Sequence, residues 1–329
     1  MGCLSCLHVF PVKTVVTNQN AFKMSKNIRI LAVALILCAQ EAIIAIAFAA
    51  PKQVAFNSAD GKLAIAAFWF PSVSIPENTD TPKPVIIGLH GCGGPLNAND
   101  RLSPFLARYA AYFNAESYHF LVPNSFTPRG EKSICATPNA RRSITESDRR
   151  DDVFAALSWL STQSGVDMAR VAVVGWSHGA QTVLQVIDGS LKASTSHLHR
   201  PSAAVAFYPG CLSQLKNAGY QPGAPLLLMT GELDDWTPAK NCIAFHDRIA
   251  PVAIHPFDLV VYPGSYHGFD SLSKVVERAG VGNTASGKAM VGGNPEALRA
   301  SHLRLFDFLA RHLANPMRLT AEQRLEIKP

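Results

Sequence analysis

The chain has 329 residues, 48% of them hydrophobic, with 30 basic and 24 acidic side chains and a net charge of +6. That apolar content excludes a disordered chain and suffices for one large core. Lys13, Lys23, Lys26 and Arg29 precede residue 50, opposed there by Glu41 alone, so the rest carries 26 basic and 23 acidic groups, a near balance that excludes a nucleic-acid footprint. Even the basic pairs Arg141-Arg142 and Arg149-Arg150 are interspersed with Glu146, Asp148, Asp151 and Asp152.

From Met24 the chain reads Lys26 and Arg29, then the apolar run Ile30–Cys38, then Ala47-Phe48-Ala49-Ala50-Pro51. A basic flank, an apolar centre and an A-x-A site predict a secretory signal peptide over residues 1–49, cleaved after Ala49, with Met24 the true start. A membrane anchor from Ile28 to Ala50 is long enough to span, but Gln40-Glu41 falls in its middle, where a charge costs roughly 3 kcal/mol. Cys38 follows Leu37 rather than a small residue, and Met1-Gly2-Cys3-Leu4-Ser5-Cys6 lacks the hydroxyl residue of a myristoylation site, so neither lipid anchor fits. The expected mature product is a single domain over residues 50–329, periplasmic or secreted, with no stable membrane anchor. It keeps Cys92, Cys135, Cys211 and Cys242, an even set that in an exported chain suits disulfides, with three connectivities open.

In chain order, Leu63–Phe70 reads as a strand, followed by a surface loop containing Pro71, Pro76, Pro82 and Pro84. Val85–His90 is a buried strand that runs into Gly91-Cys92-Gly93-Gly94. Pro104–Ala115 is helical and Tyr118–Val122 is the next strand. Glu146–Ser161 is an amphipathic helix with Val153, Ala156, Leu157 and Leu160 on one face. Val171–Val174 is a strand, and the helix after it repeats the spacing with Ala180, Val183, Leu184 and Ile187. Ala203–Tyr208 and Leu226–Met229 are strands, Pro238 suits the first turn of a helix, and Phe257–Tyr262 is the last clear strand. The Gly-rich stretch Gly280–Gly293 has no period and reads either as a mobile loop near a pocket or as a surface insertion; Ser301–His312 closes the pattern as a helix. Strands alternating with helices predict an α/β domain with a mostly parallel sheet covered on both faces.

Chemistry concentrates at the strand ends. Gly175-Trp176-Ser177-His178-Gly179 is G-x-S-x-G between a strand and a helix, the context in which the serine hydroxyl is left exposed on a strained turn. Gly231-Glu232-Leu233-Asp234-Asp235 ends a strand on two carboxylates, and Tyr266-His267-Gly268 ends another on an imidazole. A serine needs a base to take its proton, and that base needs a carboxylate to fix its tautomer. Ser177, His267 and one of the two carboxylates, Asp234 or Asp235, are therefore the candidate triad. The order Ser, Asp, His is that of the α/β-hydrolases, distinct from the orders in chymotrypsin-like and subtilisin-like proteases. The Gly91–Gly94 loop can bring backbone donors to a reacting carbonyl, so the amides of Cys92 and His178 are the candidate oxyanion hole, each worth roughly 3 to 4 kcal/mol. The His178 ring is expected at the pocket rim.

These residues resemble the dienelactone hydrolase family of α/β-hydrolases from about Val85 to His312. The resemblance rests on His90-Gly91-Cys92-Gly93-Gly94, Asn124-Ser125-Phe126-Thr127-Pro128-Arg129-Gly130, Gly175–Gly179, Gly231–Pro238 and Tyr266-His267-Gly268-Phe269. It implies Asp234 as the acid, since the family pattern is Gly-x-x-Asp. The chain departs from dienelactone-cleaving members in two places: Ser177 stands where they carry cysteine, and Asp270 follows where they place a carboxylate-binding arginine. Arg129, Trp176 and Trp236 are candidate substrate contacts. In the sheet that the fold implies, Cys92 and Cys135 lie over neighbouring strands, as do Cys211 and Cys242, and crossed pairs would exceed roughly 7 Å between Cα atoms.

The expected activity is hydrolysis of a carboxylic ester or lactone, small or polymeric, with no metal or organic cofactor. Two alternatives stand. A prolyl-peptidase-like serine peptidase shares fold and triad but usually carries an extra N-terminal domain. A non-catalytic binding protein on this scaffold would normally have lost a triad residue, and none is missing here.

Overall fold

The computed structural model describes residues 51–72, 81–191 and 199–314. The expected signal peptide therefore lies outside the described residues. Eight strands form one sheet: β1 (Lys52–Asn57), β2 (Ala64–Phe70), β3 (Lys83–Leu89), β4 (His119–Pro123), β5 (Val166–Trp176), β6 (Ala203–Phe207), β7 (Leu226–Gly231) and β8 (Phe257–Tyr262). Their order is β1-β2-β4-β3-β5-β6-β7-β8. β1 and β2 run antiparallel at one edge, and every pairing from β4 through β8 is parallel. Helices α1 (Pro104–Ala115), α2 (Glu146–Leu160), α3 (His178–Val186), α4 (Leu212–Lys216), α5 (Ala239–Ile249) and α6 (Pro295–His312) occupy the connections and the C-terminal side. This is the mostly parallel α/β sheet expected from the alternating pattern, arranged as the α/β-hydrolase fold that the resemblance implies. Among the described residues no helix is long and apolar enough to cross a membrane.

The continuous apolar runs of the central strands follow from burial on both faces. Val85, Ile87 and Leu89 of β3 and Val171 and Val173 of β5 face one core, which α2, α3 and α5 cover with Val153, Leu157, Leu160, Val183, Leu184, Phe245 and Ile249. Their alternates Ile86, Ala172, Val174 and Trp176 face the other core, covered by α1 and α6 through Leu106, Tyr109, Phe113, Leu305 and Phe308. Caps fix where helices begin. Ser103 accepts from the Leu106 amide ahead of Pro104, and Thr145 forms a capping box with Asp148 at the start of α2.

Three elements differ from the sequence reading. β1 was not expected: of Lys-Gln-Val-Ala-Phe-Asn only Phe56 is buried, so no alternation announces it. The Gly280–Gly293 stretch is irregular only in its first part: it ends in a strand that pairs with the segment just before it. Strands β9 (Val276–Ala279) and β10 (Lys288–Val291) pair there as an antiparallel ribbon whose β9 residues are all exposed. α6 begins at Pro295 rather than Ser301, capped by the Asn294 side chain.

Candidate active site

β5 stops at Trp176, and Ser177 turns the chain into α3 at φ 55°, ψ −118°, a left-handed conformation that non-glycine residues rarely take. The glycines on either side are required by contact. A Cβ on Gly179 would lie 1.9 Å from the Leu89 carbonyl oxygen, and one on Gly175 would lie 2.4 Å from the Gly179 oxygen. Strand, helix and the end of β3 thus close together, and the serine side chain is left half-buried and projecting.

The loops after β7 and β8 bring the partners. His267 Nε2 lies 3.0 Å from Ser177 Oγ, and His267 Nδ1 lies 2.9 Å from Asp234 Oδ2. Asp234 Oδ1 accepts the Trp236 and Thr237 amides at 2.9 and 2.7 Å, and Oδ2 also accepts the Thr237 hydroxyl at 2.8 Å. A carboxylate held this fully has one orientation left, so the proton of His267 belongs on Nδ1 and its Nε2 lone pair faces the serine hydroxyl. The imidazole ring sits between Tyr208 and Trp236, with centroids 4.6 and 4.7 Å away. Behind it, β10 pairs with His267 through a bridge from Val291 and the Gly292 amide donates to its carbonyl at 2.9 Å. Asp235 points elsewhere, exposed and accepting the Met290 amide at 2.9 Å.

The Gly91–Gly94 loop passes beside Ser177: a Cβ on Gly91 would lie 3.6 Å from Ser177 Cβ. Cys92 and His178 both line the cavity above Ser177, and neither amide donates to a protein acceptor among the described residues. Cys92 is disulfide-bonded to Cys135, with Cα atoms 4.9 Å apart, and its carbonyl accepts the Ile134 amide at 2.9 Å. Cys211, at the start of α4, is bonded to Cys242 of α5, with Cα atoms 5.0 Å apart.

The His178 ring is not at the rim. It is 2% exposed, and its Nδ1 accepts from Nη1 of Arg149 at 2.7 Å, so its proton is on Nε2. Burial, reinforced by the adjacent Arg149 charge, holds this imidazole well below its ordinary pKa and keeps it neutral. Nε2 lies 3.3 Å from Glu146 Oε1 without hydrogen-bond geometry, and this contact with a neutral ring is no ion pair.

Arg149, which sequence reasoning passed over, is the largest fully buried side chain. Its Nη2 donates to the His90 carbonyl at 2.7 Å, and its guanidinium packs over Phe126. One buried cation therefore holds the strand end before Cys92 and the ring of His178 together. Burial lowers its pKa to about 9, which leaves it charged at neutral pH. The sequence signal for it was faint: Arg149 and Asp152 lie on the same buried face of α2 as Val153 and Leu157.

Two expected substrate contacts are elsewhere. Arg129 forks onto Asp152 with both contacts at 2.9 Å and donates to the Ser125 carbonyl, away from the cavity lining. Trp176 is 2% exposed in the core under Ser177, where its Nε1 donates to Asp270 Oδ2 at 3.0 Å. Trp236 does line the cavity. Asp270 itself is fully buried and also accepts the hydroxyls of Tyr109 and Tyr208 at 2.6 and 2.8 Å, so this residue replaces a substrate-binding arginine with an internal anchor.

Comparison with known proteins agrees with this architecture. A family model described as the dienelactone hydrolase family matches residues 70–313. A thermophilic esterase from the planctomycete Thermogutta terrifontis superposes with a TM-score of 0.55 at 16% identity, covering 82% of this chain and 95% of that one. The dipeptidyl peptidase 4 of Porphyromonas gingivalis gives 0.55 at 18% identity, over 80% of this chain and 35% of that one. At these identities the likeness is one of fold. Among curated sequences, "Probable dipeptidyl-aminopeptidase B" of Trichophyton verrucosum is 24% identical over 222 residues, 59% of this chain and 24% of that protein. The match spans about a quarter of the length of the curated relatives.

Proposed function

The chain belongs to the dienelactone hydrolase family, and we propose that it is an exported serine hydrolase that cleaves carboxylic esters through an acyl-enzyme. Ser177 Oγ attacks the ester carbonyl carbon while its proton passes to His267 Nε2. The amides of Cys92 and His178 receive the oxyanion. The carbon–oxygen bond to the alcohol breaks as His267 returns that proton to the leaving oxygen, and the alcohol departs. Water then loses a proton to His267 and attacks the acyl carbon, the Ser177 ester bond breaks, and Ser177 regains the proton as the acid leaves. Asp234 keeps Nδ1 protonated and stabilises the imidazolium in both halves.

The observation that carries this reading is the 3.0 Å approach of His267 Nε2 to Ser177 Oγ, with Asp234 on the opposite nitrogen. Two disulfides and the N-terminal signal pattern support export. The test is Ser177→Ala, which should abolish labelling by a fluorophosphonate and lower kcat on a nitrophenyl ester by roughly 10⁴-fold or more. Undiminished labelling of the variant overturns the assignment.

A second reading, a serine peptidase, draws support from the curated relatives named as dipeptidyl-aminopeptidases. It uses the same residues, with an amine as leaving group. Turnover of a dipeptidyl nitroanilide above that of nitrophenyl acetate would favour it.

A further inference from the structure

A cavity of about 480 Å³ opens above Ser177, bounded by the starts of α2 and α5, by α4 and by the ribbon side. That size suits a small ligand, but sites of this size are mostly apolar with a few polar groups. Here polar and apolar lining are balanced, with more polar side chains than such sites usually carry. Leu212, Trp236 and Pro238 are the chief apolar side chains of the lining, and most of the remainder is amide, hydroxyl or charged.

Asn139, Asn283, Thr145 and Thr237 bond within the protein, but other polar groups of the lining are unspent. The Asn241 amide, the Ser213 hydroxyl and the Lys216 ammonium make no side-chain hydrogen bond among the described residues. Gln181 donates Nε2 to the Gly210 carbonyl and keeps Oε1 free, and Arg142 donates Nε to Thr137 and keeps its terminal nitrogens. Glu146 lines the same space. The set thus contains pure donors, pure acceptors and groups that do both. A carboxylate ligand would meet Arg142 and Lys216 but also Glu146, and an alkyl chain would partner none of these groups. Hydroxyl groups both donate and accept, so a ligand bearing several of them can satisfy all. Trp236, in ring contact with His267 at 4.7 Å between centroids and lying under the Arg278 guanidinium, adds a partly buried aromatic edge to the lining.

We propose that the ester cleaved at Ser177 is that of a polyhydroxylated alcohol, a sugar or similar polyol, whose hydroxyls occupy the Gln181–Ser213–Asn241 side of the cavity beside Trp236. This rests on the ester-hydrolase reading. The bond broken is that between the acyl carbon and the sugar oxygen, and His267 returns the Ser177 proton to that oxygen.

The test holds the acyl group constant and varies the alcohol: acetylated methyl xyloside, n-octyl acetate, an acetate ester carrying a free carboxylate, and 4-nitrophenyl acetate, with the full-length exported protein. The sugar acetate should exceed octyl acetate in kcat/KM by about 100-fold, because a site built for hydroxyls rejects a ligand lacking them. Removing two contacts in Ser213→Ala/Asn241→Ala should lower kcat/KM for the sugar acetate about tenfold more than for 4-nitrophenyl acetate. A preference for the octyl or the carboxylate ester, or an equal fall on both substrates in a variant with unchanged thermal unfolding, overturns the proposal while leaving the hydrolase reading intact. Failure to hydrolyse any of the acetates, with no fluorophosphonate labelling of Ser177, overturns both.

Discussion

Asp234 and Asp270 are both buried, both saturated with hydrogen bonds, and both in contact with the surroundings of His267, yet they end on different chemistry. Asp234 accepts two amides, a hydroxyl and the imidazole Nδ1, and the last of these gains and loses charge in the proposed reaction. Asp270 accepts two phenols and an indole. Burial and the neighbouring Asp270 charge push both phenols well above their ordinary pKa, so these donors stay neutral at any working pH. Through Tyr208, whose ring faces His267, and Trp176, which precedes Ser177, the second aspartate braces the scaffold on which Ser177 and His267 stand. Burial and saturation alone do not mark a residue as catalytic; the identity of the donor does. Arg149 is the counterpart behind the Gly91–Gly94 loop, a buried cation whose direct partners are a carbonyl and a neutral imidazole rather than a carboxylate.

Separate variants sharpen that contrast. Asp234→Asn should cost on the order of 10⁴ in kcat by favouring the wrong imidazole tautomer, with little change in denaturant midpoint, whereas Asp235→Asn should do far less. Steady-state kinetics of the two variants check the assignment, and the reverse ranking breaks it. Asp270→Ala should show the opposite profile. Three buried donors lose their acceptor, so stability should fall by about 3 kcal/mol or more, seen as a lower midpoint in urea unfolding. Next in size is Arg149→Met, which keeps bulk but removes the charge and both bonds; kcat should fall up to about 100-fold, near 2.7 kcal/mol, with KM little changed. Partial recovery in Arg149→Lys would separate the charge from the fork geometry. An unchanged kcat in Arg149→Met would reduce this residue to a packing role.

The layered sheet and the serine turn were legible because each is written locally. Continuous apolar runs mark doubly covered strands, and glycines flank Ser177 because backbone atoms of Leu89 and Gly179 come within 3 Å of any added Cβ. Asp234, and not Asp235, meets His267, in keeping with the Gly-x-x-Asp pattern. What sequence could not carry was partnership across long separations. Arg129 looked available until Asp152, on the next helix, engaged its fork. Trp176 looked adjacent to substrate because it is adjacent to Ser177, but alternation along β5 sends it to the opposite core. The ribbon of β9 and β10 was illegible for another reason: exposed strands need no apolar period, and this one is held by its contacts with the His267 loop and by Asp235.

The smallest expected effect concerns acid, and its sign separates the imidazoles from Asp270. His90 and His178 are both buried beside Arg149, and desolvation followed by that charge holds both well below their ordinary value of 6.5. In the unfolded chain they take up protons below about pH 6.5, while the folded state refuses them, so stability should fall as pH drops through that value. Each such group contributes up to about 1.4 kcal/mol per pH unit until its folded pKa is reached. Asp270 acts with the opposite sign. Burial raises its folded pKa above 3.8, so between those two values the folded state holds a proton that the unfolded chain has lost, and acidification through that lower window restores stability. The thermal midpoint should therefore decline from pH 7 to pH 5, and His90→Asn should flatten that decline by removing one titrating ring. A midpoint that is level across this range, or a His90→Asn slope equal to that of the parent protein, would show that the buried imidazoles share their protons with solvent in the folded state.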